Sequence, residues 1–288
     1  MFGLLNINKP RGISSFDVIR KLKKILPKKF KIGYLGTLDP MAKGVLLVML
    51  GKTTKLADFF MTGKKSYIGR ITFGFSTDSL DITGEKFEVK EDFVFPDNQS
   101  IKKYLKSITG SIMQLPPDIS AKKINGKRAY ELQRSGLKPK LKPVKVHIYS
   151  IKLIDTLSPD IIIEVECSKG TYIRSIARDI GEHFNIPSCL SALTRTSTGD
   201  FLIDDSKELQ NINTIEDIKN NIIDPSKYID LPCLYYSDTE RLSNGVFIRN
   251  KEKFNNDEKI KILEIGTGRL LAIYKTEGEF LKPDIMLI

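Results

Sequence analysis

The sequence contains several stretches with the pattern of β-strands, and these do not alternate regularly with helical stretches. Examples are "SYIGRITFGF" from residue 66, "VHIYSIKLI" from residue 146 and "DIIIEVECS" from residue 160. The last has an unbroken apolar run, which suits a central strand of a sheet. Because a doubly wound parallel sheet needs strands and helices in regular alternation, this irregular order predicts an α+β fold instead.

Two helices are predicted from apolar spacing and from residues that can cap a helix. Ser14 or Ser15 can cap the first helix, and Thr171 can cap the second. The apolar face of the first consists of Val18, Leu22, Ile25 and Leu26, and that of the second of Ile173, Ile176, Ala177 and Ile180. Arg174 and Arg178 lie one turn apart on the second helix, so we expect them to face solvent or a cleft.

The character of the sequence changes near residue 200, and 288 residues are enough for one large and one small domain. The acidic, asparagine-rich stretch that follows predicts a helix and a connector. From Leu231 to Ile288, short β-like segments such as "KIKILEIG" are separated by glycine turns, which predicts a compact β-barrel-like module. We therefore expect a large domain of residues 1–230 and a small domain of residues 231–288.

Positive charge is concentrated in two segments. The chain has 46 Lys and Arg against 35 Asp and Glu, a net charge of +11, which favours an anionic partner. Residues 20–31 hold seven Lys and Arg and no acid, and residues 120–145 hold nine against the single acid Glu131. Such runs can be solvated faces, but two acid-poor segments with Tyr130 interleaved favour a nucleic-acid track.

Several classes of protein and site are not expected. No run approaches the roughly 18 apolar residues that a membrane span requires, and the start "MFGLLNINKPRG" lacks the apolar core of a secretory signal. We therefore expect a cytoplasmic protein without a membrane partner. The three cysteines show no metal-ligand spacing and there are only two histidines, so neither a zinc site nor a histidine-centred triad is expected.

The segment "LGKTTKL" ends like a phosphate-binding loop, because Gly51, Lys52 and Thr53 match the end of a Walker A motif. The upstream glycine of that motif would stand at the position of Leu46, and the residues between have the pattern of an apolar strand. Nucleotide hydrolysis is therefore not expected.

One carboxylate stands alone in the stretch "GYLGTLDPMAKGVLLVMLGKTTKL". It is Asp39, the single acidic residue between Gly33 and Leu56. An aspartate before a proline commonly initiates a turn by accepting hydrogen bonds from nearby backbone N–H groups. From spacing alone, a turn residue is therefore the first interpretation.

The segment "GTLDPMAKGVLLVMLGKTTK" closely resembles the signature of the tRNA pseudouridine-55 synthases, the TruB family. Further segments resemble other motifs of the family, in the same order along the chain: "GLLNINKPRGISSFDVI", "KSYIGRITFGFSTDSLDITG", "QLPPDISAKKINGKRAYELQRSG", "CSKGTYIRSIARDIG" and "CLSALTRTSTGDF". The resemblance implies a catalytic domain of pseudouridine synthase type with a mixed, mainly antiparallel sheet. The end of the chain is similar to the small RNA-binding PUA domain that often follows it.

The resemblance also implies the site residues. Asp39 would be the catalytic nucleophile, Arg174 would pair with it and keep it ionised, Tyr67 would stack on the uracil and Leu193 would close the other side of the pocket. Tyr172 belongs to the arginine motif. Substrate binding is thus expected from Tyr34, Tyr67, Tyr172, Arg174 and Leu193, although Tyr34 replaces a histidine that the family usually has near the flipped base.

The implied reaction isomerises uridine 55 in the T loop of tRNA and needs neither a cofactor nor a metal. The carboxylate can add to carbon 6 of the ring, attack the sugar or assist departure of the base, and the sequence leaves these three open. RNA contacts are expected from Lys9, Lys122, Lys123, Lys127 and Arg128. The partner would be the tRNA T stem-loop, bound by a monomer without a guide RNA.

Two alternatives to this function remain open at the level of the sequence. One is a non-catalytic factor that binds or folds tRNA with the same basic surface. The other is a pseudouridine synthase with a different RNA target. Only the catalytic readings require Asp39 to be an acid.

Overall fold

The computed structural model describes residues 1–61, 63–118 and 141–288, together with the backbone of residues 123–124 and 127–128. These residues form strands β1 (Gly3–Lys9), β2 (Ile32–Leu35), β3 (Ala42–Leu50), β4 (Lys65–Phe73), β5 (Phe75–Thr77), β6 (Lys86–Val89), β7 (Gly110–Gln114), β8 (Lys123–Ile124), β9 (Lys127–Arg128), β10 (Val144–Leu157), β11 (Asp160–Cys167), β12 (Ser188–Thr198), β13 (Phe201–Leu202), β14 (Lys207–Glu208), β15 (Cys233–Tyr236), β16 (Ile248–Arg249), β17 (Lys259–Glu264), β18 (Leu270–Glu277) and β19 (Phe280–Met286). The α-helices are α1 (Ser15–Ile25), α2 (Ala57–Met61), α3 (Asn98–Ser107), α4 (Ile173–Phe184), α5 (Ile215–Asn220) and α6 (Thr239–Ser243). Short 3₁₀ helices cover Gly51–Leu56, Leu209–Asn211 and Pro225–Tyr228.

A ten-stranded mixed sheet forms the larger part of the molecule. Its order is β14-β1-β3-β12-β4-β11-β10-β7, with β2 paired to β3 and β13 paired to β12. Pairing is parallel between β1 and β14 and between β3 and β12, and antiparallel elsewhere. The prediction of an α+β fold with a mixed, mainly antiparallel sheet is therefore confirmed. The apolar run of β11 is an interior strand, as predicted, with β4 and β10 on either side.

Helices cover this sheet with the apolar faces that the sequence indicates. Helix α1 packs Val18, Ile19 and Leu22 against β1 and β3, and α4 packs Ile176 and Ile180 against β4, β11 and β12. Burying each such side chain contributes about 1.5–3 kcal/mol. These two helices flank the region where β3, β12 and β4 lie side by side, which is where the candidate site forms.

The helix caps agree with the sequence at α1 and differ at α4. Ser14 is the cap of α1, in a reciprocal capping box with Asp17. The prediction that Thr171 caps α4 is wrong, because the cap position is Tyr172, whose side chain makes no capping hydrogen bond. Arg174 is buried on the first turn of α4, so of the two environments expected for it the cleft is the correct one.

The chain after residue 231 forms a second, five-stranded sheet in the order β15-β17-β18-β19-β16. The β-rich character predicted for this region is confirmed, but the sheet has two ends, at β15 and β16, and is not a closed barrel. A buried cluster that includes Leu56, Ile229 and Ile273 joins it to the larger part of the molecule. No helix in the described ranges has the length and apolar character needed to cross a membrane.

Candidate active site

The loop that joins β2 to β3 carries Asp39, and four hydrogen bonds fix the loop. The Ser15 hydroxyl accepts from the backbone N–H of Leu38 at 2.8 Å and donates to the carbonyl of the same residue at 3.0 Å. Arg195 Nη2 donates to the carbonyl of Gly36 at 2.8 Å. The Ala42 N–H donates to the Asp39 carbonyl at 3.0 Å, so the carboxylate sits at a turn whose position is fixed from both sides.

Arg195 also explains a glycine close to this loop. Gly44 on β3 has φ +109°, and a Cβ there would lie 2.2 Å from the Arg195 carbonyl oxygen. A side chain at this position would therefore separate β3 from β12. The guanidinium of Arg195 is buried and donates from Nε to the Val45 carbonyl at 2.7 Å, which ties β12 to β3 directly after the loop.

Arg174 forms the ion pair with Asp39. Its Nε lies 3.0 Å from Asp39 Oδ2, and its Nη2 donates to Oδ1 at 3.2 Å. Of these two contacts, the one from Nη2 is a hydrogen bond and the one from Nε is a close approach of opposite charges. The Arg174 side chain is 6% exposed, whereas 33% of the Asp39 side chain is exposed to the cavity described below. The carboxylate is therefore more accessible to a ligand than its counter-ion is.

A second carboxylate, which the sequence analysis did not assign, holds Arg174 from the other side. Arg174 Nη1 donates to the Ser79 carbonyl at 2.9 Å and lies 3.7 Å from Asp81 Oδ2. Asp81 is buried and accepts at Oδ1 from the N–H and the hydroxyl of Thr83, at 2.9 and 2.6 Å. The signal in the sequence is the run "TDSLDITG", whose second aspartate can reach the arginine only after the chain folds.

A cavity of about 260 Å³ opens on Asp39. Besides Asp39, four of the five residues expected to bind the substrate line this cavity, and Tyr34 is the exception: Tyr67, Tyr172, Arg174 and Leu193. The Tyr172 backbone is fixed by reciprocal hydrogen bonds with the Gln114 amide, at 2.8 and 3.1 Å. Lys65 and Arg195 also line the cavity, and neither was assigned from the sequence.

Burial dominates the electrostatics of the cavity. Burial raises the pKa of Asp39, the guanidinium of Arg174 opposes this rise, and Asp81 adds to it. Burial also raises the pKa of the Tyr67 phenol, against the opposing charge of Arg195. Burial lowers the pKa of Lys65, and the Arg195 charge lowers it further. Ionisation of Asp39 thus depends on the guanidinium of Arg174 beside it.

Two predicted residues lie elsewhere. Tyr34 is half-buried on β2 and packs against the apolar cluster under α1, and it is not among the residues that line the cavity. Lys9, predicted to contact RNA, is fully buried, and its Nζ donates to the carbonyls of Pro10 and Ile13 at 2.9 and 2.7 Å. Burial lowers the pKa of Lys9 to about 8. A surface contact to RNA does not fit this position, because the end of β1 turns the side chain inward.

The side chains of the remaining predicted RNA contacts lie outside the described residues. Lys122 lies outside the described residues, and the side chains of Lys123, Lys127 and Arg128 lie outside them as well, although their backbone forms the β8–β9 pair. Across residues 1–61, 63–118 and 141–288, no three His, Cys, Asp or Glu side chains are grouped so that they could hold a metal ion.

Comparison with known proteins identifies relatives over the whole chain. The profile of "TruB family pseudouridylate synthase (N terminal domain)" matches residues 23–173, a range that includes Asp39 and Tyr67. The chain is 42% identical over 284 residues to tRNA pseudouridine synthase B of Clostridium acetobutylicum, covering 98% of this chain and 94% of that protein. It is 38% identical over 284 residues to the protein of the same name from Caldanaerobacter subterraneus, covering 98% and 97%.

Solved structures with the same fold are more distant in sequence. The structure of a Cbf5-Nop10-Gar1 complex matches with a TM-score of 0.69 at 22% identity, covering 99% of this chain and 84% of that chain. An H/ACA RNP bound to a substrate RNA matches with a TM-score of 0.67 at 20% identity, covering 100% and 85%. At this level of identity the likeness concerns the fold alone.

Proposed function

The chain belongs to the TruB family of pseudouridylate synthases, and we propose that it isomerises uridine 55 in the T loop of tRNA to pseudouridine with Asp39 as the catalytic residue. The observation that carries this proposal is the ion pair between Asp39 and Arg174 at a cavity of about 260 Å³. The carboxylate faces the cavity, and the arginine behind it is buried.

The reaction breaks the bond between ribose and N1 of uracil, turns the base and forms a new bond from the sugar to carbon 5. Carbon 5 loses its proton as the new bond forms and the freed N1 takes up a proton, so the atoms balance and no redox change occurs. An ionised carboxylate can add to carbon 6, attack the sugar carbon or assist the departure of the base. Each route requires charge on Asp39, which burial opposes and Arg174 supports.

The other cavity residues fit the binding of a flipped-out base. Tyr67 and Leu193 are buried members of the cavity wall and offer an aromatic face and an aliphatic surface to a planar ring. Extruding the uridine from the folded loop costs a few kcal/mol, which RNA contacts elsewhere must offset. In this proposal residues 120–145 and the small unit of residues 231–288, a PUA-like RNA-binding domain, supply those contacts, with residues 1–230 as the catalytic domain.

The enzyme in this proposal is a cytoplasmic monomer that modifies free tRNA without a guide RNA. The relatives that match nearly the full length carry the name tRNA pseudouridine synthase B, which supports tRNA as the substrate class. The direct test is to incubate tRNA with the purified protein alone and to map pseudouridine along it.

The variant Asp39→Asn keeps the shape of the side chain and removes its charge. We expect it to bind tRNA with unchanged affinity and to form no pseudouridine, whereas Asp58→Asn, an exposed aspartate on α2, should behave like the unmodified protein. Formation of pseudouridine at the normal rate by Asp39→Asn would contradict the proposed mechanism. Binding without product from the unmodified protein would favour a non-catalytic tRNA factor, and product at another uridine would favour a different target.

A further inference from the structure

Leu80 has an unusual backbone conformation. Its φ is +63°, in the left-handed region. Residues other than glycine seldom adopt this region, and those that do are mostly Asn and Asp. Among the described residues the other non-glycine positions with positive φ are Lys29, Asn185, Lys253 and Asp257, so Leu80 is the one apolar example in this part of the chain.

Leu80 lies between the two residues that contact Arg174 on the side away from Asp39. Leu80 separates the two groups that hold Arg174 from behind: the Ser79 carbonyl, which accepts from Nη1 at 2.9 Å, and the Asp81 carboxylate, 3.7 Å from the same nitrogen. The φ angle of Leu80 sets how the peptide that contains the Ser79 carbonyl is oriented relative to the following residue. In the right-handed or extended regions, the two groups could not face the same guanidinium with the rest of the loop unchanged.

Neighbouring hydrogen bonds hold Leu80 in this conformation. Its N–H donates to the Thr77 carbonyl at 3.1 Å, and its carbonyl accepts from the Leu190 N–H at 3.0 Å. The Ile82 N–H donates to the Leu190 carbonyl at 3.0 Å. The turn is therefore attached to β12, the strand that also carries Leu193 and Arg195 into the active site.

The side chain of Leu80 does not account for its conformation. It is half-buried and borders a separate cavity of about 490 Å³, together with Phe87, Lys90, Arg178 and Gly181. It does not belong to any of the buried apolar clusters found in the described ranges. Strained backbone that persists without a packing reason is typical of sites where the strain serves function.

We propose that Leu80 is a positioning residue, whose left-handed backbone aims the Ser79 carbonyl and the Asp81 carboxylate at Arg174 and so keeps that guanidinium against Asp39. The inference rests on the proposed function of Asp39 and adds to it the backbone conformation that organises the far side of the ion pair. Leu80 itself touches neither Asp39 nor the substrate cavity.

Two substitutions separate the backbone from the side chain. Leu80→Ile keeps the size and apolar character but adds a β-branch, which disfavours the left-handed region. Leu80→Asn removes the apolar side chain but tolerates that region. We expect Leu80→Asn to retain the single-turnover rate within about threefold and Leu80→Ile to lose roughly tenfold or more, with tRNA affinity unchanged in both.

If the side chain of Leu80, and not its backbone, supported the site, the order of the two rates would be reversed. Leu80→Ile would then be near normal and Leu80→Asn slow, and that result would overturn the proposal. Equal rates for the two variants, either normal or slow, would overturn it as well. If Leu80→Ile does not fold, Leu80→Ala is measured beside Leu80→Asn, because both variants lack the apolar side chain. Both are expected to keep the single-turnover rate. Slow turnover by both would contradict the proposal.

A crystal structure of Leu80→Ile tests the inference without catalysis. We expect the contact of 2.9 Å between Arg174 Nη1 and the Ser79 carbonyl to be lost and the Arg174 side chain to shift from Asp39. An unchanged contact would contradict the proposal. The unmodified protein in the same rate assay reports separately on the proposed function, because its failure to form pseudouridine would leave the structural result standing.

Discussion

At the scale of single residues, the site depends on one arginine between two carboxylates. Arg174 contacts Asp39 on the cavity side and Asp81 on the buried side, and it donates to the Ser79 carbonyl. Ionisation of Asp39 is sensitive to both neighbours, because Arg174 lowers its pKa and Asp81 raises it, and the charge of Lys9 lowers it as well. An aspartate and an arginine alone would make a tighter pair, but Asp81 holds the arginine in one orientation.

This arrangement predicts how the rate depends on pH. In the proposed mechanism Asp39 must be ionised to act. Burial raises its pKa above the ordinary 3.8, so we expect the rate to fall with decreasing pH at a higher pH than an exposed aspartate would give. The charge of Asp81 contributes to that rise. In Asp81→Asn we therefore expect the acid limb of the pH profile, which is the fall of the single-turnover rate at low pH, to move to lower pH.

The same variant should also lower the plateau of the rate, by roughly tenfold, because Arg174 loses a charged partner that restrains it. Asp78→Asn is the matched control: Asp78 is exposed, lies in the same turn and bonds the Glu85 N–H. It should leave both the limb and the plateau unchanged. An acid limb that stays in place, or moves to higher pH, in Asp81→Asn would contradict this account.

The sequence predicted the residues of the cavity better than those around it. Asp39, Tyr67, Tyr172, Arg174 and Leu193 stand in recognisable motifs, and the structure brings them to one cavity. Lys9 and Tyr34 stand in motifs as well, but the direction of a side chain depends on which face of a strand is covered. Asp81 was not assigned, since its contact with Arg174 joins residues 93 positions apart. The catalytic roles themselves remain predictions.

At the scale of the elements, helix α1 acts on the site through its first turn. Two adjacent serines have different partners: Ser14 caps the helix with Asp17, and Ser15 holds Leu38, next to Asp39. The sequence indicated that one of them would be a cap. It could not indicate the contact of the other, because a hydroxyl that bonds backbone 23 residues away leaves no local pattern.

Replacing each serine by alanine should separate these contributions. Ser14→Ala removes a cap and should lower the free energy of unfolding by about 1 kcal/mol with little change in rate. Ser15→Ala leaves the buried Leu38 N–H without its partner, at a cost of about 1–3 kcal/mol, and releases the loop of Asp39. We expect a lower rate in Ser15→Ala alone, measured by single turnover beside urea unfolding. Equal rates in the two variants would contradict the idea that Ser15 holds the loop of Asp39 through Leu38.

At the scale of the whole molecule, the two sheets share an apolar cluster. Leu56 and Ile229 of the larger part pack with Ile273 of β18 and with Leu287, which follows β19. Removing residues 231–288 should therefore lower the melting temperature of the remainder, by roughly 10 °C, because several buried side chains become exposed. An unchanged melting temperature in thermal denaturation would show that the cluster contributes nothing to the larger part.

The excess of positive charge should govern the binding of RNA. With 46 Lys and Arg against 35 Asp and Glu, the chain is expected to release counterions from each phosphate that it neutralises. We expect tRNA affinity to fall by roughly a thousandfold between 50 and 200 mM salt if about six phosphates are contacted. The measurement is a binding titration at several salt concentrations, and affinity that is indifferent to salt would contradict the electrostatic account.

Strand β12 lies between β3 and β4, yet it follows both by over a hundred residues in the sequence. During synthesis from the N-terminus, β3 and β4 leave the ribosome well before the strand that separates them. In the folded protein each of them pairs with β12, and Leu193 and Arg195 join the site with that strand. A nascent chain that ends before β12 contains Asp39 but lacks Leu193 and Arg195 of the cavity wall. On the proposed function of Asp39, we expect such unfinished translation products to leave RNA unmodified.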